Sequence, residues 1–351
     1  MNRESIRQAA AEMRLIQGQD LSGIDLSGED LTGARFFACS FRGADLSGAV
    51  LGKTFFKDCD LSAICLENTR LEKVNFSGLC FAGAKLQGTV FHKAMLNGAD
   101  FSQAHMQNCE LSWTFARKAD FRHANLTGAR LFKTVLSRSK LGGADLTAAE
   151  LERVVLNEAE LAGITFAGTH FTKVLLRECE LPGFDFSGIR FIQVQANNAN
   201  LKGADFSKSD LVMSNFSGAN LSQATFCNCR APNCMFTHSR LMQADLRGGD
   251  FQQSNFQAAT ATAATFQGAR LVHAVFRQAE LSESDFTNAA CQHADFTHAV
   301  IREADFTRAH LYRARMHNVQ AERARLAHAH TEMLQGTDKE RDHAENWQPQ
   351  V

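Results

Sequence analysis

The sequence predicts an all-β chain, wound as a four-sided parallel β-solenoid of about 15 coils with a short capping helix at its N-terminal end. Three observations predict it. Stepping by five from Leu21 to Leu326 visits 62 positions, and Leu or Phe fills 53 of them with no shift of frame. The position two residues earlier is Ala, Cys, Ser, Thr, Val or Gly in 54 of those 62 sides. Finally, 23 of the 28 phenylalanines fall in the one column, in a chain with only 3 prolines and 1 tyrosine. Internal repetition of this kind decides architecture before any local propensity does.

A period of five suits neither a helix at 3.6 residues per turn nor a plain strand at 2. It suits a squared coil in which each side turns one large and one small residue inward and ends at a corner. Four sides make a coil of 20 residues, so 62 sides give about 15 coils, stacked at the spacing of parallel strands, about 4.8 Å. Leu and Phe fill the centre between walls of Ala and Cys, leaving no interior cavity.

The elements follow in order. A solenoid leaves apolar edges at its ends that need covering. Residues 1–19 supply a cap: from Ser5 to Gln17, Ile6, Ala10, Met13, Leu15 and Ile16 recur at helical spacing among Arg3, Arg7 and Arg14. Residues 20–327 are the solenoid. Glycines such as Gly23, Gly28 and Gly33 recur at its corners and serve turns. Ala116, Ala196 and Ala231 mark slimmer coils, and Pro232 belongs at a corner or bulge because it cannot donate to a ladder. Residues 328–351 form a polar C-terminal cap or tail carrying Trp347.

Composition narrows the function. Lys and Arg number 37 against 38 Asp and Glu, so no net basic footprint for polyanions exists. No run of 18 apolar residues could cross a bilayer, and the charged start has no apolar signal core. Ten cysteines without framework spacing suggest reduced thiols in a cytoplasmic protein.

The repeat itself, as in Ala44-Asp45-Leu46, Ala204-Asp205-Phe206 and Ala294-Asp295-Phe296, resembles the pentapeptide-repeat family, written A-(D/N)-(L/F)-x-x. The resemblance covers residues 20 to 327 and implies a right-handed quadrilateral β-helix; periodicity alone would not give the hand. Such a scaffold hosts unrelated binding roles. Within the family the chain is similar to the long bacterial proteins encoded with type VI secretion spike and adaptor proteins. That similarity rests on Ile16-Gln17-Gly18-Gln19-Asp20-Leu21-Ser22-Gly23, on Ala309-His310-Leu311-Tyr312-Arg313-Ala314, and on the tail ending Trp347-Gln348-Pro349. It implies a non-enzymatic accessory that helps assemble or load a spike–effector complex. Smaller family members imply a rival role, a DNA mimic that protects or inhibits a type II topoisomerase such as gyrase.

Chemistry is scarce. Cys227, Cys229 and Cys234 form C-x-C-x4-C, but Cys229 and Cys234 occupy the small inward position and read as core. His328 and His330 lack a third ligand at useful spacing. With no convergent nucleophile and base, no catalytic residue, metal or cofactor is expected.

The informative pattern emerges on stacking the chain every 20 residues. One column reads Lys53, Lys73, Lys93, Trp113, Lys133, Arg153, Lys173. Two positions on, where the repeat favours Asp or Asn, stand Phe55, Asn75, Met95, Phe115, Val135, Val155 and Leu175. Val50 and Val90 fill that slot one side earlier, and Phe132 precedes Lys133. An exposed apolar stripe beside a basic ladder marks a protein-binding surface, for a secretion partner or for a second copy in a homodimer. The 21 acidic residues among the 62 outward slots permit a DNA-like face, but the balanced charge and the basic ladder oppose it. A C-terminal cluster of Arg302, Arg308, Arg313, Arg315, Arg323 and Arg325, with His310 and His317, is a second basic feature.

Overall fold

The inward Leu and Phe positions collapse into a column, and the backbone between them can satisfy its hydrogen bonds only by pairing with the coils before and after. The computed structural model describes residues 1–346 and does so: on each side of the coil, residues pair in parallel with those 20 positions later, as in Ile16↔Phe36, Leu71↔Phe91 and Asp25↔Asp45. The chain is a parallel β-solenoid, divided into two compact units, Met1–Glu180 and Leu181–Val351.

The first unit opens with helix α1 (Arg3–Ala11), whose N-cap Asn2 accepts the backbone N–H of Ser5. Ile6, Ala9 and Ala10 are its buried face, and Arg3 pairs with Glu29. The helix is shorter than the expected span of Ser5 to Gln17. Met13 sits at φ +52°, and β1 (Leu15–Gln17) pairs with β2 (Arg35–Phe37), which pairs with β3 (Phe55–Lys57). The reason is that one five-residue step back from Leu21 lands on Ile16, so ladder bonds and core burial outweigh helical spacing. On the preceding side of the coil run β4 (Arg70–Glu72), β5 (Val90–His92), β6 (Glu110–Ser112), β7 (Arg130–Phe132), β8 (Glu150–Glu152) and β9 (His170–Thr172), each paired with the next. Elsewhere the sides are single parallel bridges.

Corners are tight turns. At the first, Ile24 N–H donates to Leu21 O at 3.2 Å while Gly23 takes φ +68°, the signature of a type II turn. The outward Asp braces the turn that follows: Ser27 N–H donates to Asp25 at 2.9 Å and Ser47 N–H to Asp45 at 2.8 Å. This is why Asp, Leu/Phe and Ser/Thr recur in that order. Inward polar residues are also satisfied, as when Thr89 Oγ1 donates to Leu66 O at 2.8 Å.

The second unit repeats the plan, with β10 (Arg190–Ile192) followed by bridges such as Arg190↔Asp210. Its core is a stack of phenylalanines: Phe236, Phe256 and Phe276 lie face to face at 4.7 and 4.8 Å. Pro232 sits in a corner turn without a bulge, its carbonyl accepting from Met213 N–H at 3.1 Å. The repeat runs past its expected end at 327, since His310↔His330 and Arg315↔Gln335 still pair. Leu326, with no later coil above it, is 41% exposed. Where the sequence predicts a polar cap or tail, α2 (Lys339–Glu345) forms on the N-cap Asp338. Trp347 and Pro349 lie outside the described residues. No helix among those described is long and apolar enough to cross a membrane.

Candidate protein-docking face

The stripe is a consequence of register. Asn75, Met95, Phe115, Val135, Val155 and Leu175 bridge in succession, so their side chains project from one side of the first unit, a strand spacing apart. Phe55 stands one coil earlier on β3. Phe55, Met95 and Phe115 are 46%, 46% and 50% exposed, a large outlay of apolar surface for ring and thioether side chains. Val135, Val155 and Leu175 are half-buried, because short side chains in a ladder cover one another. Val50 is exposed and Val90 half-buried on the neighbouring side.

One member of the stripe is hidden in the sequence. Leu15 opens the same column (Leu15↔Arg35, Arg35↔Phe55) and is 53% exposed. Helical spacing assigns it to the cap and so masks it; the five-residue step back to Ile16 is the signal that reveals it.

The basic ladder lines the adjoining corner. Lys53, Lys73, Lys93, Trp113, Lys133, Arg153 and Lys173 all adopt the left-handed conformation, with φ between +53° and +58°. That region favours glycine, and other corners of this unit use it. The column at 28 holds Gly28, Gly48, Gly88, Gly128 and Gly168, with Asn68, Asn108 and Ala148 between. Beside the stripe, seven successive corners carry long side chains in a strained conformation instead. Only Lys73 and Arg153 have carboxylates near, Glu72 at 3.7 Å and Glu152 at 3.8 Å, all well exposed, where such pairs are worth little. Lys53, Lys93, Lys133 and Lys173 have no ion-pair partner among the described residues. Lys133 Nζ lies 3.6 Å from the Trp113 ring centre and 5.1 Å from that of Phe132, and the two rings meet edge to face at 6.2 Å. The face therefore offers aromatic and thioether contacts flanked by cations free to meet a partner's carboxylates.

Other candidates resolve into structure. Cys229 and Cys234 are buried in the core while Cys227 is only half-buried on the outer side, so the three do not converge. Cys234 donates to Leu211 O at 2.9 Å, and burial pushes its thiol up to about 12. Much of the C-terminal arginine cluster is internally paired: Arg302 with Glu322, Arg323 with Glu303, Arg325 with Asp305, and Arg315 at 3.6 Å from Asp295.

A group the sequence does not suggest is His298, His317 and Glu345. His298 Nε2 and His317 Nε2 lie 3.1 and 3.2 Å from the same Glu345 oxygen. His317 Nδ1 accepts the Asp338 backbone N–H at 3.1 Å, which places the ring proton on Nε2, facing the carboxylate. A cation on Nε2 would force that proton onto Nδ1, against another donor. The cluster thus fastens α2 to the coil.

The family models agree with this geometry. "Pentapeptide repeats (8 copies)" matches overlapping segments from 20–52 through 149–188, and "Pentapeptide repeat region" matches 199–274 and 239–316. The chain belongs to the pentapeptide-repeat family. Among solved structures it is similar to trypsin-treated QnrB1, a plasmid-mediated fluoroquinolone resistance protein (25% identity, 54% of this chain, 88% of that chain, TM-score 0.35). It is also similar to the pentapeptide-repeat protein Rfr23 of Cyanothece 51142 (26%, 30% and 86%, TM-score 0.29). A third is HetL of Nostoc sp. Strain PCC 7120, a protein involved in heterocyst differentiation regulation (24%, 66% and 91%, TM-score 0.22). With TM-scores this low, none of the three extends the family assignment. No curated protein matches the sequence.

Proposed function

We propose that this pentapeptide-repeat protein is a non-enzymatic interaction scaffold that docks a protein partner along the stripe of its first unit. Pentapeptide-repeat proteins are generally structural or interaction proteins. One observation carries the reading for this chain: Phe55, Met95 and Phe115, each 46% to 50% exposed, share one column beside a corner column that carries Trp113 and the lysines. A preformed ladder loses little conformational entropy on binding. The finer proposal is that the partner belongs to a type VI secretion spike–effector assembly, in which this chain acts as an accessory or adaptor. That rests on the resemblance of residues 16–23, 309–314 and the tail.

The DNA-mimic alternative needs an unbroken acidic face, and the outward columns oppose it. One column runs Asp60, Cys80, Asp100, Asp120, Lys140, Glu160; in the second unit Asp210, Arg230, Asp250 and Arg270 alternate in sign.

The test is a tagged capture from native lysate with wild type beside Phe55→Asp/Phe115→Asp/Leu175→Asp, partners being read by mass spectrometry. Spike or adaptor proteins held by wild type alone support both levels of the proposal. Topoisomerase subunits held equally by both proteins would replace it with the DNA-mimic reading.

A further inference from the structure

We propose that the occupant of the face is an acidic amphipathic α-helix of about 20 residues lying along the coil axis, an inference that rests on the docking reading above. Backbone chemistry comes first. Strands β5 to β8 are each paired on both sides, and the stripe column is bridged from Asn75 to Leu175. No open edge within it can accept an added strand, so side chains must do the recognising.

Spacing then selects the partner's conformation. Coils repeat at about 4.8 Å. A helix returns side chains to one face every 3 to 4 residues, about 5.3 Å at 1.5 Å per residue, a drift of about half an ångström per coil that flexible Lys and Met side chains absorb. An extended strand laid along the axis repeats every two residues, about 6.7 Å, and is a whole coil out of register within three. Six coil steps separate Lys53 from Lys173. That is about 29 Å, the length of a helix of about 20 residues.

Charge selects the composition. Lys53, Lys93 and Lys173 lack ion-pair partners among the described residues, while Phe55, Met95 and Leu175 lie two positions on. The helix needs Leu-like residues on one flank and Glu or Asp on the next. A second copy of this chain fits poorly. A two-fold axis across the coils sets the lysine ladder against itself, and one along them sets it against the partner's apolar column.

The test pans three displayed pools of 20-residue peptides on the immobilised full-length protein. One pool has Leu at helical spacing with Glu and Asp flanking, one adds a central Pro-Gly, and one replaces Glu and Asp by Lys and Arg. Enrichment of the acidic helical pool at least about tenfold over both others is expected, about 1.4 kcal/mol of discrimination. On a folded Lys53→Glu/Lys93→Glu/Lys173→Glu variant the preference should pass to the basic pool. Equal recovery of the Pro-Gly pool, or no enrichment of the acidic helical pool, overturns the inference. If the lysate capture still depends on Phe55, Phe115 and Leu175, only the helix is lost; if that dependence is absent too, the docking reading falls with it. Self-association abolished by the three Asp substitutions would install a second copy instead.

Discussion

Replacing the corner lysines with glycine should make the protein more stable and a poorer binder. Lys53, Lys93 and Lys173 hold φ values of +58°, +55° and +56°. The left-handed region costs a residue with a Cβ about 1–2 kcal/mol. Glycine removes that cost but gives back about 0.5–1 kcal/mol in unfolded-state entropy. The net gain is about 0.5–1 kcal/mol per site, and sites two or more coils apart add nearly independently. Lys53→Gly/Lys93→Gly/Lys173→Gly should therefore gain about 1.5–3 kcal/mol. Melting followed by circular dichroism should rise several degrees, at roughly 2–4 °C per kcal/mol or somewhat less in a chain of this size. Gly98→Lys is the mirror experiment. Gly98 sits at φ +63°, and a Cβ placed there would meet nothing within 4 Å, so the change isolates the backbone cost and should lower the midpoint. Partner capture by the triple glycine variant should fall as stability rises. A lower midpoint for that variant would refute the reasoning, since the lysines would then be holding the coil rather than presenting charge.

Four further outcomes are expected. Phe256→Ala removes a fully buried ring stacked between Phe236 and Phe276 and should cost about 3–5 kcal/mol in urea unfolding, far more than Phe115→Asp on the exposed stripe. The hydroxyl and backbone N–H groups of Ser22, Ser27, Thr32 and Ser187 hold Asp20, Asp25, Asp30 and Asp185 below the usual carboxylate range. Their stabilisation is present above about pH 4, the unfolded value, and is lost as pH falls through the lower folded values, so melts should be flat from about pH 7 to 5 and drop below about pH 4. Burial pushes the Cys109, Cys179, Cys229 and Cys291 thiols up, Cys179 to about 11, so a disulfide titrant should leave them unreacted until denaturant exposes all ten. His317→Ala should release α2, which has no buried residue of its own; losing about 1–2 kcal/mol of hydrogen bonding should speed tryptic cleavage at Arg341 by about 5–30-fold with the melt unchanged.

The solenoid was legible because its period is carried by the residues that make the core. At the ends that logic loses force. Met13, Leu15 and Ile16 satisfy helical spacing as well as the five-residue step, and only ladder pairing with Arg35–Phe37 decides between them. At the other end α2 buries nothing, so no apolar pattern announces it. His317 reads from the sequence only as part of the basic C-terminal cluster, because the partner of His298 in the 20-residue register is Asn318; His317 reaches the cluster from one position off. On the stripe, the column assignment predicts direction but not extent. Val135 and Val155 are partly covered, and Lys133 folds over Trp113, because neighbouring coils stack their outward side chains as well as their inward ones.

The chain contains its own control for whether the fold demands such a stripe. In the second unit the equivalent slot runs Gln195, Asn215, Met235, Asn255, Val275, Asp295, Arg315 and Gln335, bridged in the same parallel register. There the outward side chains bond to one another, Asn215 Nδ2 donating to Gln195 Oε1 at 3.2 Å. The equivalent corner holds Gln193, Met213, Asn233, Gln253, His273, His293, Arg313 and Met333, again at positive φ. The same backbone, the same turns and the same outward geometry are thus built with a mostly polar column and no lysine ladder. The fold itself does not require Phe55, Met95, Phe115, Val135, Val155 and Leu175, since the same register forms with Gln195, Asn215 and Asn255 in that slot. Nor can turn geometry require lysine where glycine, asparagine and glutamine all suffice. What separates the two units along this slot and its corner is that the first sets a run of apolar side chains beside a lysine ladder and the second does not.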